Sequence, residues 1–338
     1  MAPFLMERSM NSINTSYQDL TPECQLDALA SIGLYPETGL LTLNSYENRV
    51  YAFTDENQQR YVVKFYRVGR WNKAQLLEEH NFSQYLLTSG VQLSEPVMIN
   101  EKTLHTYQHY YFAIFKNLSA RTLDIDNIDC LYDVGVSLGK MHKAGAQYHF
   151  KHRPSLNILD TITESANGLL TCQYIPNAIK PSFFEVISAI QEKIIQKDLP
   201  ALPNIAIHAD AHASNILLKE DVPYWVDFDD CKMGPAVQDI WMLLSGEKTE
   251  QQLQLSMLLE GYQEEYDFDT KQLAHIELLR TMRMIHYANW VNLRWQDPAF
   301  SRNFTWFITD QYWKELLQSL QQQLILLDEP ALALQPHY

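Results

Sequence analysis

Glycine is scarce in this chain, 11 residues in 338, and none of them falls into a GxxxxGK(S/T) or a GxGxxG pattern. That excludes the two glycine-rich phosphate cradles most easily read from sequence, the P-loop and the dinucleotide-binding turn. Positive charge is also short: 26 Lys and Arg stand against 41 Asp and Glu, a formal net charge of -15. Sequence-independent binding of nucleic acid or anionic lipid needs the opposite balance. Neither partner is expected, and any anionic ligand must be handled by a few placed cations. The four cysteines, Cys24, Cys130, Cys172 and Cys231, show no CxxC spacing. They argue against a disulfide framework or a zinc site and fit buried, reduced thiols in a cytoplasmic protein. No window approaches the roughly 18 apolar residues of a membrane span. The start, MAPFLMERSMNSINTS, lacks the basic segment and apolar run of a secretory leader.

What is present is the composition of a soluble globular protein, 46% hydrophobic and 20% charged. The length suffices for two lobes, each with its own core. Residues 1–20 are polar and aperiodic and are expected to be a loose arm. PECQLDALASIGL (22–34) reads as a short helix. From Thr38 to Tyr66 the pattern becomes β-rich, with LLTLNSYENRVYAF, the turn TDENQQ and RYVVKFY as adjacent antiparallel strands. WNKAQLLEEHNFSQYLLTSG (71–90) has helical spacing and a C-terminal glycine, Gly90; PVMI and YYFAIF then read as two further strands. From Leu131 the chain reads as mostly helical: LYDVGVSLGKMHKAG, FFEVISAIQEKIIQK, AVQDIWMLLSG, EQQLQLSMLLEGYQEEY and LAHIELLRTMRMIHYANWVNLRW, with strand-like IAIHAD, NILLK and YWVDF among them. The expectation is an α+β, bilobal, protein-kinase-like fold: a β-rich lobe over 21–116 and a larger helical lobe over 117–338.

The densest chemistry lies in HADAHASN, residues 208–215. Its HxDxxxxN spacing is that of a kinase catalytic loop with Ala209 in place of arginine, and it stands in a matching order of elements. Lys64 ends VVKF on an early strand, Glu78 and Glu79 lie on the next helix, and Asp227 in WVDFDD follows Asn215 by twelve residues. Leu76, Glu79 and Phe82 share a helical face, so Glu79 is the expected partner of Lys64. Phosphoryl transfer asks a protein for positioning and charge neutralisation rather than covalent chemistry. Asp210 is therefore the expected acceptor of the hydroxyl proton. Asn215 and Asp227 are the expected oxygen ligands of Mg2+ beside ATP, and Lys64 the grip on its phosphates. His208 is expected to pack the loop, Asp239 in VQDIW to anchor it from a buried position, and the stripe Tyr287, Trp290 and Trp295 to fill the core.

A metallohydrolase could instead recruit His208, Asp210 and His212. It would need further ligands downstream, where no second cluster stands out, and it leaves Lys64 and Asn215 without a role.

With these motifs in view, LNSYENRVYAF, VVKFYR with the following RW, LEEH, HADAHASNIL, VDFDD and GPAVQDIWMLLSG resemble the stress response kinase A family, bacterial serine/threonine protein kinases of the aminoglycoside phosphotransferase and choline kinase fold. The resemblance runs from about Leu34 to Pro336. It implies that Asp210 and Asp227 are catalytic, that Asn215 and Asp227 bind magnesium, and that Ser45 in NSYEN contacts the nucleotide with Lys64 and Glu79. It further implies ATP as co-substrate, protein substrates, autophosphorylation, a monomer, and a role in envelope and oxidative stress. The family usually has glycine where Ala209 stands, a small change if the backbone there needs no positive φ. KNLSA replaces a hinge where glycines are common. Between Asp227 and VQDIW lie only about ten residues and no APE, too few for a long phosphorylatable activation loop. A small-alcohol kinase of the same fold shares all of this chemistry, and a nucleotide-binding pseudokinase would not need the complete Lys64, Asp210, Asn215 and Asp227 set.

Overall fold

The computed structural model describes residues 17–124, 128–197 and 202–334. The chain begins with α1 (Pro22–Ala30), whose N-terminus is set by Thr21 accepting the Cys24 N–H and by Pro22 in the first turn. Then come β1 (Leu41–Thr42), β2 (Arg49–Thr54) and β3 (Arg60–Phe65), α2 (Lys73–Thr88), β4 (His105–Tyr107) and β5 (Tyr110–Lys116). The five strands form one sheet in the order β1-β2-β3-β5-β4, antiparallel throughout. The period of two along β3 assigns its faces. Val63 and Phe65 join Phe53, Phe112 and Ile114 in the core beneath α1. Lys64, paired with Ala113 across the sheet, faces the other way, toward α2.

α2 starts at a capping box, Asn72 and Gln75 each accepting the other's backbone N–H at 3.0 Å, and stops before Gly90 at φ +88°. The sequence expected PVMI as a strand; it makes isolated bridges instead, Pro96 to Phe115 and Ile99 to Lys102, and the fifth strand is β4, HTY, too short and polar to register as a periodic run. The expected loose arm also ends early. Residues 1–16 lie outside the described residues, but Tyr17 donates to the carbonyls of Glu47 and Phe65 at 3.1 Å and Leu20 is buried in the core under α1.

The second lobe contains β6 (Arg121–Thr122), α3 (Asp129–Gly145), α4 (Ile158–Leu169), α5 (Lys180–Gln196), β7 (Ile205–Ile207), β8 (Ile216–Lys219), β9 (Val222–Trp225), β10 (Lys232–Gly234), α6 (Val237–Trp241), α7 (Lys248–Gln263), α8 (Ile276–Arg294), α9 (Pro298–Asn303) and α10 (Asp310–Leu326). α3 crosses α7 at backbone contact: a Cβ on Gly135 would lie 2.1 Å from the Leu258 carbonyl oxygen, and one on Gly261 2.0 Å from that of Tyr132. α4 and α10 were not expected. α4 buries Ile162, Ser165 and Leu169, one face at helical spacing, and packs that face against α8, so its own pattern was a signal that the sequence reading passed over. Among the described residues no helix is long and apolar enough to cross a membrane.

Topology places the two acidic loops. β7 pairs antiparallel with β10, and β8 with β9, so the segment leaving β7 and the segment leaving β9 meet beside the sheet of the first lobe. The nine positions between Asp227 and Val237 are largely taken up by a helical turn over Phe228–Asp230 and by β10, which leaves no room for a long activation loop.

Candidate active site

The 208–215 loop is held from behind. Asp239, fully buried at the start of α6, accepts the N–H of His208 at 2.8 Å and of Ala209 at 2.7 Å, and a ring nitrogen of His142 lies 3.1 Å from it. His208 is buried too, with Nε2 2.9 Å from the Val226 carbonyl, so it ties the loop to the strand that leads into Asp227. Both histidine and anchor take the structural places read from sequence. Ala209, however, sits at φ +68°, the left-handed region, which answers why glycine is usual there. The allowance for a harmless methyl does not hold, because the Asp239 clamp on consecutive N–H groups imposes this turn. Ala209→Gly is therefore expected to raise stability by about 0.5–1 kcal/mol, the left-handed cost of a Cβ less glycine's own entropy; equilibrium denaturation measures it. The KNLSA hinge likewise places Ser119 at φ +50°, its N–H donated to Asn117 Oδ1 at 2.9 Å.

Lys64 is 5% exposed and meets three carboxylates: Asp227 at 2.7 Å, Glu79 at 3.3 Å and Asp229 at 3.6 Å. Burial opposes its charge, but Asp227, Asp229 and Glu79 outweigh that and hold the ammonium well above its ordinary range. Glu79 is thus the lysine's neighbour, as its helical face predicted. It also takes an ion pair at 3.0 Å from Arg153, whose side chain is fully buried and also donates to the Cys231 carbonyl. Glu78 does something different: it accepts the N–H groups of Lys151, His152 and Arg153 and so fixes the segment that delivers Arg153.

Asp210 is clamped on both oxygens. Arg283 of α8 donates to Oδ1 at 2.9 Å; His212 Nε2 and Asn215 Nδ2 lie 3.3 and 3.4 Å from Oδ2. Burial would raise this carboxyl, but the His212 hydrogen bond and the Arg283 charge prevail and hold it below its ordinary value. Asn215 also donates to the Asp210 carbonyl at 2.9 Å, which leaves its Oδ1 as the atom able to face a cation. Asp227 stands at φ 61°, ψ 66°, a left-handed aspartate whose side chain is 44% exposed. Strain of this kind persists only where surrounding structure enforces it.

Ser45, Asp210, Asn215 and Asp227 line one cavity of about 490 Å3, together with Arg70, Arg283 and Trp290. Lys64 and Glu79 stand behind its Asp227 wall. The turn that carries Ser45 is held not by glycines but by its neighbour Glu47, buried against Arg67 at 3.0 Å and Arg294 at 2.6 Å, with Trp290 Nε1 donating at 2.6 Å. Burial works against the Glu47 charge, and Arg70 and Arg294 keep the carboxyl below its usual range. Asp297 adds a second tie between the lobes, pairing with Arg49 at 2.7 Å and Arg67 at 2.9 Å. Arg70 pairs with Asp229 and, at 2.7 Å, with Asp230, next to Asp227.

The aromatic stripe divides accordingly. Trp295 packs on Tyr174 and Phe307 in the core as expected, whereas Trp290 lines the cavity and Tyr287 is 37% exposed beside it. Sequence reading missed Arg283, Arg153, Arg70 and Glu47. Two quoted motifs held such residues: RW after VVKFYR contains Arg70, and NSYEN contains Glu47 beside Ser45.

A small sheet lobe carrying a buried Lys–Glu pair, facing a helical lobe whose clamped aspartate and second acidic loop share a cleft, defines a phosphotransferase of the protein-kinase-like fold. The comparisons agree. The sequence profile of the phosphotransferase enzyme family matches residues 40–276. Stress response kinase A of Escherichia coli K12 is 40% identical over 329 residues, 97% of this chain and 100% of the relative. The Salmonella typhimurium protein named serine/threonine protein kinase RdoA is 39% identical with the same coverage. Among solved structures, an amicoumacin kinase in complex with AMP-PNP and Ca2+ superposes with a TM-score of 0.66 at 21% identity, covering 87% of this chain and 93% of that one. The chain belongs to the phosphotransferase enzyme family and, within it, to the stress response kinase A group. It is a kinase of α+β, bilobal architecture.

Proposed function

We propose that the protein transfers the γ-phosphate of ATP to serine or threonine hydroxyls of proteins, its own included. The observation that carries this reading is the shared cavity, in which the Asp210 and Asp227 loops face each other with the Lys64–Glu79 pair behind. In this reading Asp210 aims the acceptor hydroxyl and takes its proton. Lys64, kept charged and oriented by Glu79, grips the phosphates, and Ser45 contacts them from the turn between the first strands. The lobes divide at 116/117, with nucleotide between them.

Among the described residues no three His, Cys, Asp or Glu side chains converge as a metal cage. That fits magnesium, which is held largely by phosphate oxygens and water and asks the protein for one or two oxygens. The Asp227 carboxylate and Asn215 Oδ1 are of the right kind. Magnesium, when bound there, would neutralise charge on the phosphates. Asp227 and Asn215 would hold it, and Lys64 would exchange its 2.7 Å pair with Asp227 for the phosphates.

The names of the full-length relatives, a serine/threonine protein kinase and stress response kinases, support the protein acceptor and a place in a stress response; envelope and oxidative stress and a cytoplasmic monomer enter this reading from the family resemblance of the sequence motifs. A second reading has its own support: a cavity of about 440 Å3 between α4 and α8 opens beside Asp210, large enough for a small alcohol. Incubation with γ-labelled ATP and magnesium, alone, with a basic protein, and with a panel of small alcohols separates the two. Alkali-labile phosphoserine or phosphothreonine that depends on Asp210 is the expected result. Label confined to a small alcohol would replace this reading with the second.

A further inference from the structure

Arg283 is the residue common to three concavities. It lines the Asp227 cavity, the α4–α8 cavity and a surface groove with Trp241, Met284 and Tyr287. Among the described residues its charged partner is Asp210, at 2.9 Å, and it also reaches the Met242 sulfur at 3.9 Å. The guanidinium is 40% exposed and Asp210 26%. An ion pair so open to water contributes little to folding. The geometry is nevertheless specific. Arg283 takes Oδ1 while His212 and Asn215 take Oδ2, so the carboxylate plane is fixed from two elements, α8 and the loop. Remove the α8 side and the carboxylate is held at one oxygen only, free to turn about its side-chain torsions.

We propose that Arg283 is a positioning residue for phosphoryl transfer: it holds the Asp210 carboxylate in the orientation that an incoming acceptor hydroxyl requires. This rests on Asp210 being the group that meets the hydroxyl. The other groups around Asp210 do not supply the same restraint. Asp230 repels it, Lys232 is engaged with Asp230 at 4.0 Å, and His286 is turned toward Ser165 at 3.3 Å. An α8 residue thereby couples the acceptor side of the cleft to the catalytic loop.

The test is steady-state transfer to the basic protein acceptor with saturating magnesium–ATP, alongside ATP hydrolysis to water, for Arg283→Met and Arg283→Lys. Arg283→Met should lower kcat about 10–100-fold, the cost of a misaimed group near the reacting atoms, with the KM for ATP and for acceptor each within about twofold. Arg283→Lys should recover to within about tenfold of the parent by restoring a donor to Oδ1. The thermal midpoint should move by less than about 2 °C, as expected for an exposed pair. An unchanged kcat, a loss confined to the acceptor KM, or a loss that tracks unfolding would each overturn the proposal. Asp210→Asn, measured in parallel, separates the two levels: if that variant keeps full activity, the functional reading itself fails.

Discussion

Asp210→Asn is expected to lower phosphoryl transfer by roughly 10²–10⁴-fold, the usual contribution of a positioned acid or base, while nucleotide affinity changes by less than about twofold. The variant is nearly isosteric, so it keeps an oxygen for Arg283 and leaves the Asp239 clamp on the loop untouched. What it removes is the carboxylate charge, which in the proposed reading accepts the hydroxyl proton. In the proposed reading the nucleotide side uses other groups, Lys64, Asn215 and Asp227, reached from β3 and from the opposite wall of the cavity. Transfer assays paired with calorimetric titration of magnesium–ATP decide the matter. Binding lost in proportion to activity would move Asp210 from the acceptor side to the nucleotide side.

Asp239→Ala should cost roughly 3–5 kcal/mol of stability and most of the activity, although Asp239 touches no part of the cavity. Its carboxylate accepts two consecutive backbone N–H groups, His208 and Ala209, and lies 3.1 Å from buried His142. Alanine would leave these donors without partners inside the core, each at about 1–3 kcal/mol. The left-handed turn at Ala209, held by that clamp together with Gln238 on its carbonyl at 3.1 Å, would lose its main restraint and carry Asp210 out of line. Chemical denaturation reads the first effect and the kcat of any folded fraction the second. Stability equal to the parent's would show that water or another group satisfies these donors.

The contrast between these residues explains what could be read in advance. His208, Asp210 and Asn215 lie within one loop, and their spacing is itself the signal, because a loop of fixed length between two strands presents the same positions to the same cleft. Lys64 and Glu79 were legible through period: alternation along β3 turns Lys64 from the face of Val63 and Phe65, and the 3.6-residue repeat of α2 puts Glu79 with Leu76 and Phe82. Ala209 was legible as a residue but not as a conformation. Its positive φ is imposed by an aspartate 30 positions later.

Arg283, Arg153 and Glu47 were silent for a related reason. Their partners lie 73, 74 and up to 247 positions away, so nothing local to Arg283 in its aromatic-rich helix, to Arg153, or to Glu47 in NSYEN says which distant charge each one meets. The sequence by itself determined the α+β character, the order of the motifs and the identity of the acidic and basic groups that chemistry could use, because strand period, helix period and loop length are local quantities. The tertiary structure alone decided which distant cations meet those acids, that α4 and α8 enclose a second cavity beside Asp210, and that the Ser45 turn is held by Glu47 and α8 instead of by glycine. Those outcomes depend on how helices cross, down to the backbone contact at Gly135 and Gly261, and crossing is fixed by the summed packing of both lobes rather than by any single segment.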